Sequence, residues 1–357
     1  MNRHFWAGKR VLVTGNTGFK GSWLTYWLAC LGARVSGLAL APESQPSLYH
    51  AAKLDADVET FVADVRDEHL VASVVKSTRP EIVFHLAAQP LVRASYEQPT
   101  YTYAVNAMGT ANVLEALRSS ESARAVVCVT TDKCYENREW AWPYRETDGL
   151  GGRDPYSSSK ACAEIITAAY RRSFFVNEPN VGVATARGGN VIGGGDWSPD
   201  RIIPDLVRAF AAGKPAIVRS PNAVRPWQFV LDALHGYLIL AEKLHAEPIR
   251  FSEAWNFGPD ASGECCVSTI ADQLKAAWGQ GADWQQSTSS GAPHEAHLLA
   301  LDSSKARREL GWRDLLPIDA TVTRLARWYA SYNNGIDAKK LMSDDIAHFE
   351  RLMESAA

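Results

Sequence analysis

The sequence predicts an α/β fold: a doubly wound parallel sheet with a smaller C-terminal lobe interleaved with it. Three observations predict it. A β-branched apolar run, Arg10–Thr14, leads into Gly15-Asn16-Thr17-Gly18-Phe19-Lys20-Gly21 and then into apolar residues at helical spacing over 22–31. Further apolar runs recur at 34–40, Glu59–Val62, 82–86, 125–130 and 181–186, with helical stretches between them, notably 101–118 and 157–176. Beyond Arg187 the pattern changes to Gly- and Pro-rich segments with short elements such as a helix over 203–212.

Each element has its reason. Strand, glycine turn, helix and second strand at this spacing form a βαβ unit, which requires parallel pairing. Repeating it gives a Rossmann-type sheet over residues 1–187. Residues 188–357 are read as mainly a substrate-binding domain, some segments of which return to the first. The chain's 357 residues suit one large unit with a smaller companion.

Composition narrows the function. A net charge of −3 offers no concentrated basic surface for nucleic acid or a membrane. No apolar run approaches the ~18 residues of a spanning helix, and the N-terminal segment has no apolar leader. A reducing, cytoplasmic setting is expected. The six cysteines show no C-x-x-C spacing, so no metal site is expected, and most are read as buried small hydrophobes.

The glycine turn indicates a dinucleotide. Gly15 permits a sharp turn, Gly18 lets backbone approach a pyrophosphate, and Gly21 lets the helix pack closely. The helix N-terminus beyond them, through Phe19 and Lys20, offers free N–H groups to the phosphates. The usual carboxylate for the adenosine ribose is missing, since none occurs after the second strand until Glu43. No arginine stands there for a 2′-phosphate either, which favours NAD over NADP.

Tyr156-Ser157-Ser158-Ser159-Lys160 sets a phenol and an ammonium one helical turn apart. The ammonium is expected to lower the phenol's pKa, so that it can take a hydroxyl proton. Thr130-Thr131, ending the preceding strand, could hydrogen-bond the same hydroxyl. His85 reads as a packing histidine.

With these segments, Asp64-Val65-Arg66-Asp67, His85-Leu86-Ala87-Ala88, Val105-Asn106 and Asn256-Phe257-Gly258 resemble the extended short-chain dehydrogenases that act on nucleotide sugars. The resemblance spans nearly the whole chain. It implies that Asp64 and Val65 flank the adenine and that Leu86, Ala87 and Ala88 line NAD. Thr17 and Asn106 join the expected cofactor contacts, with Tyr156 and Lys160 as the oxidation pair.

Thr131-Asp132-Lys133 stands where sugar-nucleotide 4,6-dehydratases of this family carry Thr-Asp-Glu. That resemblance implies oxidation at C4, loss of water across C5 and C6, and return of the hydride to C6. Asp132 suits the general acid if burial keeps it protonated. Lys133 is either a neutral base or a charged stabiliser of the enolate, in which case Glu136 or Tyr135 takes the C5 proton. The expected substrate contacts are Gln89, Asn190 and, for the diphosphate, Arg225 with Arg201 and Arg219. A 4-epimerase, an ordinary reductase and a non-catalytic cofactor-binding protein are the rival readings. The helices over 101–118 and 157–176 are expected to pair across a two-fold axis as a four-helix bundle, giving a homodimer as in similar enzymes.

Overall fold

The computed structural model describes residues 1–356 apart from 43, 179 and 289–296. Glu43 therefore lies outside the described residues. The first half supplies strands β1 (Arg10–Thr14), β2 (Arg34–Ala39), β3 (Glu59–Val62), β4 (Ile82–His85), β5 (Ala125–Val129) and β6 (Gly182–Gly188). The second supplies β7 (Asn190–Ile192), β8 (Ala216–Val218), β9 (Val224–Phe229), β10 (Ala254–Phe257), β11 (Glu264–Cys266) and β12 (Trp284–Gln286). The central sheet has seven parallel strands in the order β10-β6-β5-β4-β1-β2-β3. β10 comes from the C-terminal half and extends the sheet at its β6 edge.

Alternation along the strands builds two cores. Val11, Val13, Phe84, Val127 and Val129 pack with Trp23, Trp27, Leu234 and Leu238 of the helices Phe19–Cys30 and Val230–Ala246. Leu12, Val83, Val126 and Val183 pack on the other face with Val71 and Val74 of Glu68–Thr78 and Val113, Leu114 and Leu117 of Gly109–Arg118. Both faces of the sheet are covered, so its strands read as continuous apolar runs. The register sets Thr14 beside both Leu38 and His85. The carboxyl ends of the strands therefore share one rim, where open α/β sheets bind ligands.

The expected helix over 101–118 is three segments, Pro99–Tyr103, one wider turn at Ala104–Met108, and Gly109–Arg118. The smaller lobe holds a three-stranded sheet, β11-β9-β7, and the parallel pair β12-β8. Its glycine run has a packing cause: a Cβ on Gly194 would lie 2.3 Å from the Trp328 ring. The cysteines depart from expectation. Cys128 and Cys134 are buried, Cys162, Cys265 and Cys266 half-buried and Cys30 exposed. Among the described residues no helix is long and apolar enough to cross a membrane, and no Cys, His, Asp or Glu group could hold a metal.

Candidate active site

At the rim the glycine turn closes tightly. Gly15 adopts φ 74°, and its N–H donates to the Leu38 carbonyl at 2.8 Å. A Cβ on Gly21 would lie 2.0 Å from the Gly15 carbonyl oxygen, and one on Gly15 would lie 2.7 Å from the Ala87 nitrogen. The third glycine thus serves contact with the turn itself. No side chain caps the helix Phe19–Cys30 at Gly18, which leaves its first N–H groups for a ligand. These residues fit a dinucleotide pyrophosphate.

Several expected contacts are already committed elsewhere. Thr17 Oγ1 donates to the Leu40 carbonyl at 2.9 Å. Asp64 takes three hydrogen bonds from Arg66, which hold its carboxyl below the usual carboxylate range. Val65 packs on Gly109, and its carbonyl accepts from Asn112 at 2.9 Å. Asn106 is fully buried, accepting from the Gln89 N–H at 2.8 Å and donating to its carbonyl at 3.1 Å and to Ser159 Oγ at 2.8 Å. Gln89 spends its own amide on Thr102 (2.9 Å) and the Leu91 N–H (2.6 Å). Asn106 and Gln89 thus clasp the loop after β4, each satisfying its buried polar atoms locally. His85 packs as expected, between Thr14 and Thr110, and burial lowers its pKa to about 3.

A cavity of about 600 Å³ opens beside the turn. Lys20, Leu86, Ala88, Thr131, Lys133, Tyr156, Lys160 and Asn190 line one part, and Arg201, Arg219 and Arg225 another. Tyr156 and Lys160 stand on the helix Pro155–Ser173, started by Pro155 and capped by Asp154, which accepts from the Ser157 N–H at 2.9 Å. Burial pushes the Tyr156 phenol up to about 12, against a hydrogen bond with Thr131 and the charge of Arg201. Lys160 donates to the Val129 carbonyl at 3.1 Å, and burial lowers its pKa to about 8. The expected lowering of the phenol by Lys160 is absent: Thr131 and Arg201 pull it down instead. Burial likewise lowers Lys20 to about 7, helped by the charge of Lys160.

Asp132 and Lys133 form an ion pair of 3.2 Å, with the carboxylate fully enclosed and the lysine 29% exposed. Lys133 Nζ also reaches Asn190 Oδ1 at 3.5 Å. Thr131 Oγ1 donates to Asp132 Oδ1 at 2.9 Å, while Oδ2 has no partner among the described residues. Lys133 thus faces the cavity and Asp132 stands behind it. Thr130 departs from expectation, because its hydroxyl is given to Glu164 at 2.5 Å.

The arginines are less free than the sequence suggested. Arg201 pairs with Asp196 at 3.1 Å, Arg219 pairs with Asp200 at 2.6 Å, and Arg93 also binds Asp200 at 3.1 Å. Arg225 is buried and donates to the Val224 carbonyl at 2.9 Å. Arg93, Glu164, Asp196 and Asp200 were assigned no role from the sequence.

The family model for GDP-mannose 4,6 dehydratase matches residues 12–325. The chain belongs to that family. Within this 4,6-dehydratase family the chain is 46% identical, over 96% of its length and 98% of the relative's, to CDP-glucose 4,6-dehydratase of Salmonella typhimurium. It is 25% identical, over 89% of its length and 92% of the relative's, to dTDP-glucose 4,6-dehydratase of Xanthomonas campestris. The fold matches Bacillus anthracis dTDP-glucose 4,6-dehydratase in complex with NAD, with TM-score 0.77 and 20% identity over 92% of this chain and 98% of the other. It also matches Thermotoga maritima UDP-glucose 4-epimerase with UDP-glucose, with TM-score 0.76 and 21% identity over 90% and 99% of the two chains.

Proposed function

We propose that the protein dehydrates CDP-glucose to CDP-4-keto-6-deoxyglucose. One observation carries this reading: Lys133 stands with Tyr156 and Thr131 on the wall of a single cavity, and the enclosed Asp132 pairs with it from behind at 3.2 Å. Oxidation or epimerisation at C4 needs one base, whereas elimination needs a further base and acid. The 46% identity to a CDP-glucose 4,6-dehydratase supports the same chemistry and nucleotide.

The residues divide the work. The Gly15–Gly21 turn would hold NAD, which when bound would supply the redox chemistry, a hydride acceptor for C4 and a hydride donor for C6. Tyr156 takes the 4-hydroxyl proton, with Thr131 on the same hydroxyl. The Thr131 hydrogen bond and the charge of Arg201 favour the phenolate that burial opposes. The resulting 4-ketone acidifies C5. Lys133 removes the C5 proton, and Asp132 gives a proton to the departing 6-hydroxyl through its unpartnered Oδ2. Moving one proton from Lys133 to Asp132 prepares both groups together without changing the net charge of the pair. Water leaves, and the Lys133 ammonium returns a proton to C5.

The alternative bases fit less well. The Tyr135 hydroxyl is buried, donating to Asn256 Oδ1 at 2.7 Å and accepting from Arg187, and burial raises its pKa. Glu136 is exposed and paired with Arg138 at 2.9 Å. Arg225, with Arg201 and Arg219, is assigned to the diphosphate. Residues 1–187 mainly hold the dinucleotide and 188–357 the sugar nucleotide. The helices Pro99–Tyr103, Gly109–Arg118 and Pro155–Ser173 pack side by side, and Met108 and Ile165 beside them are exposed, which supports a homodimer built as a four-helix bundle.

The test is incubation with CDP-glucose deuterated at C4, without added reductant. A 4-keto product absorbing in alkali, with deuterium at C6, is expected. Label lost to solvent, an intact C6 hydroxyl or dependence on added NADPH overturns the reading.

A further inference from the structure

A polar network unused by this reaction scheme surrounds the Asp132–Lys133 turn. Glu164 follows Lys160 by four residues, hence on the same helix face. It is 3% exposed. Its Oε1 accepts from Thr130 at 2.5 Å, and its Oε2 from Thr185 at 2.8 Å and Arg187 Nη2 at 2.7 Å. Burial pushes this carboxyl up, but the charge of Arg187 and the three hydrogen bonds hold it below the usual range. Arg187, also 3% exposed, donates through Nη1 to the Tyr135 hydroxyl at 2.7 Å and the Glu146 carbonyl at 3.2 Å. Tyr135 donates to Asn256 Oδ1 at 2.7 Å, and Asn256 Nδ2 donates to the Tyr144 carbonyl at 2.8 Å.

The network therefore grips the chain at residue 130, just before the acid–base pair, and at residue 135, just after it. Within the turn the Lys133 N–H reaches Thr131 Oγ1 at 3.4 Å and the Cys134 N–H reaches the Thr131 carbonyl at 3.3 Å, while Thr131 Oγ1 donates to Asp132 at 2.9 Å and the Cys134 carbonyl accepts from the Gly151 N–H at 2.8 Å. Arg187 is also the penultimate residue of β6, three residues before Asn190, the second partner of Lys133. A buried ion pair is a poor source of stability compared with apolar packing, and its best-attested use is to specify one arrangement. Tyr156 has a separate support in Ser95, and its helix in the Asp154 cap, whereas Lys160 rests on the Val129 carbonyl beside Thr130 and feels the charge of Glu164.

We propose that the Glu164–Arg187 pair, acting through Thr130 and Tyr135, is a positioning device for the elimination half of the reaction. This rests on the assignment of Asp132 and Lys133 to that half. Glu164 and Arg187 do not line the cavity, whereas Thr130 and Tyr135 do, so the ion pair is a pair of positioning residues that acts on the site through them. Loosening it moves Asp132 and Lys133 relative to C5 and C6 while the oxidation pair keeps its place.

The test compares Tyr135→Phe, Arg187→Lys and Glu164→Gln with the parent in single turnovers on CDP-glucose. Reduced nicotinamide reports C4 oxidation, and the alkaline absorbance reports elimination. For Tyr135→Phe, which removes one hydroxyl and no charge, elimination is expected to slow about tenfold, roughly the worth of one buried hydrogen bond. C4 oxidation and KM should stay within about twofold, so reduced nicotinamide becomes visible in the steady state. Arg187→Lys, which cannot bridge Glu164 and Tyr135 with a planar fork, should slow elimination by about 10²-fold. If an Arg187 or Glu164 variant does not fold, Tyr135→Phe decides. Oxidation and elimination falling together, or both unchanged, overturns the proposal. A parent protein that forms no 4-keto product overturns the dehydratase reading itself.

Discussion

Replacing Lys133 with Met removes the ammonium that faces the cavity and keeps an apolar stem of similar length. The structure sets the size of the effect in two parts. A positioned proton-transfer group contributes about 10²–10⁴ in rate, which is ~2.7–5.4 kcal/mol of barrier at about 1.36 kcal/mol per decade. The enclosed Asp132 also loses its 3.2 Å partner and keeps only the Thr131 hydroxyl on Oδ1, with Oδ2 already unpartnered. Leaving a buried group so under-satisfied costs about 1–3 kcal/mol of stability. Thr131, Tyr156 and Lys160 are untouched, so C4 oxidation should proceed. The variant should turn over about 10²–10⁴-fold more slowly and accumulate bound reduced nicotinamide in step with substrate consumed. Stopped-flow near-ultraviolet absorbance follows that signal, and thermal unfolding follows the stability loss. Full turnover, or a stall before any reduction, would refute the assignment of Lys133 to the second half of the reaction.

Other outcomes separate the remaining groups. Tyr156→Phe should lower turnover by about 10²–10⁴ with no reduced nicotinamide appearing, in contrast to the Lys133 variant. Gly21→Ala forces a Cβ to 2.0 Å from the Gly15 carbonyl oxygen, so the turn must open; NAD affinity, read by fluorescence titration, should fall about 10²-fold. Lys20 has a folded pKa of about 7, below its ordinary 10.5, so between those values the unfolded chain binds a proton that the folded chain does not. Its contribution therefore improves as pH rises through that window and is least favourable below it. Lys20→Met should be more stable than the parent near pH ~6, with the advantage shrinking toward pH ~10 in denaturant melts. In the proposed four-helix-bundle dimer, Ile165, 57% exposed on the helix Pro155–Ser173, is a contact, so Ile165→Arg should lower the mass measured by light scattering; an unchanged mass would exclude that helix from such an interface.

Much of the site was legible because its signals are local. The Gly15–Gly21 spacing, the Tyr156/Lys160 pair and the Thr131–Lys133 segment each sit within one turn or one element, so their meaning survives in a linear reading. Other assignments needed partners that are distant in the chain. Thr130 looks like a substrate ligand beside Thr131, but Glu164, thirty-four residues on, takes its hydroxyl. Gln89 and Asn106 look like contacts, yet each satisfies the other across a loop. Arg201 and Arg219 look like free cations until Asp196 and Asp200 are brought beside them. Pairing of this kind has no spacing rule, because the chain between the partners follows the fold.

The sequence by itself determined the parallel α/β class and the dinucleotide-type glycine turn, since periodicity and short-range geometry dictate them, while family resemblance nominated the proton-handling residues proposed above. The tertiary structure decided which of these groups meet. It set Lys133 on the cavity wall with Asp132 behind it, and brought Glu164 of one helix to Arg187 of β6. It linked Tyr135 to Asn256 across 121 residues. Burial shifts other groups of the site, raising the Tyr156 phenol and lowering Lys20 and Lys160, shifts set by enclosure and neighbouring charge rather than by residue type.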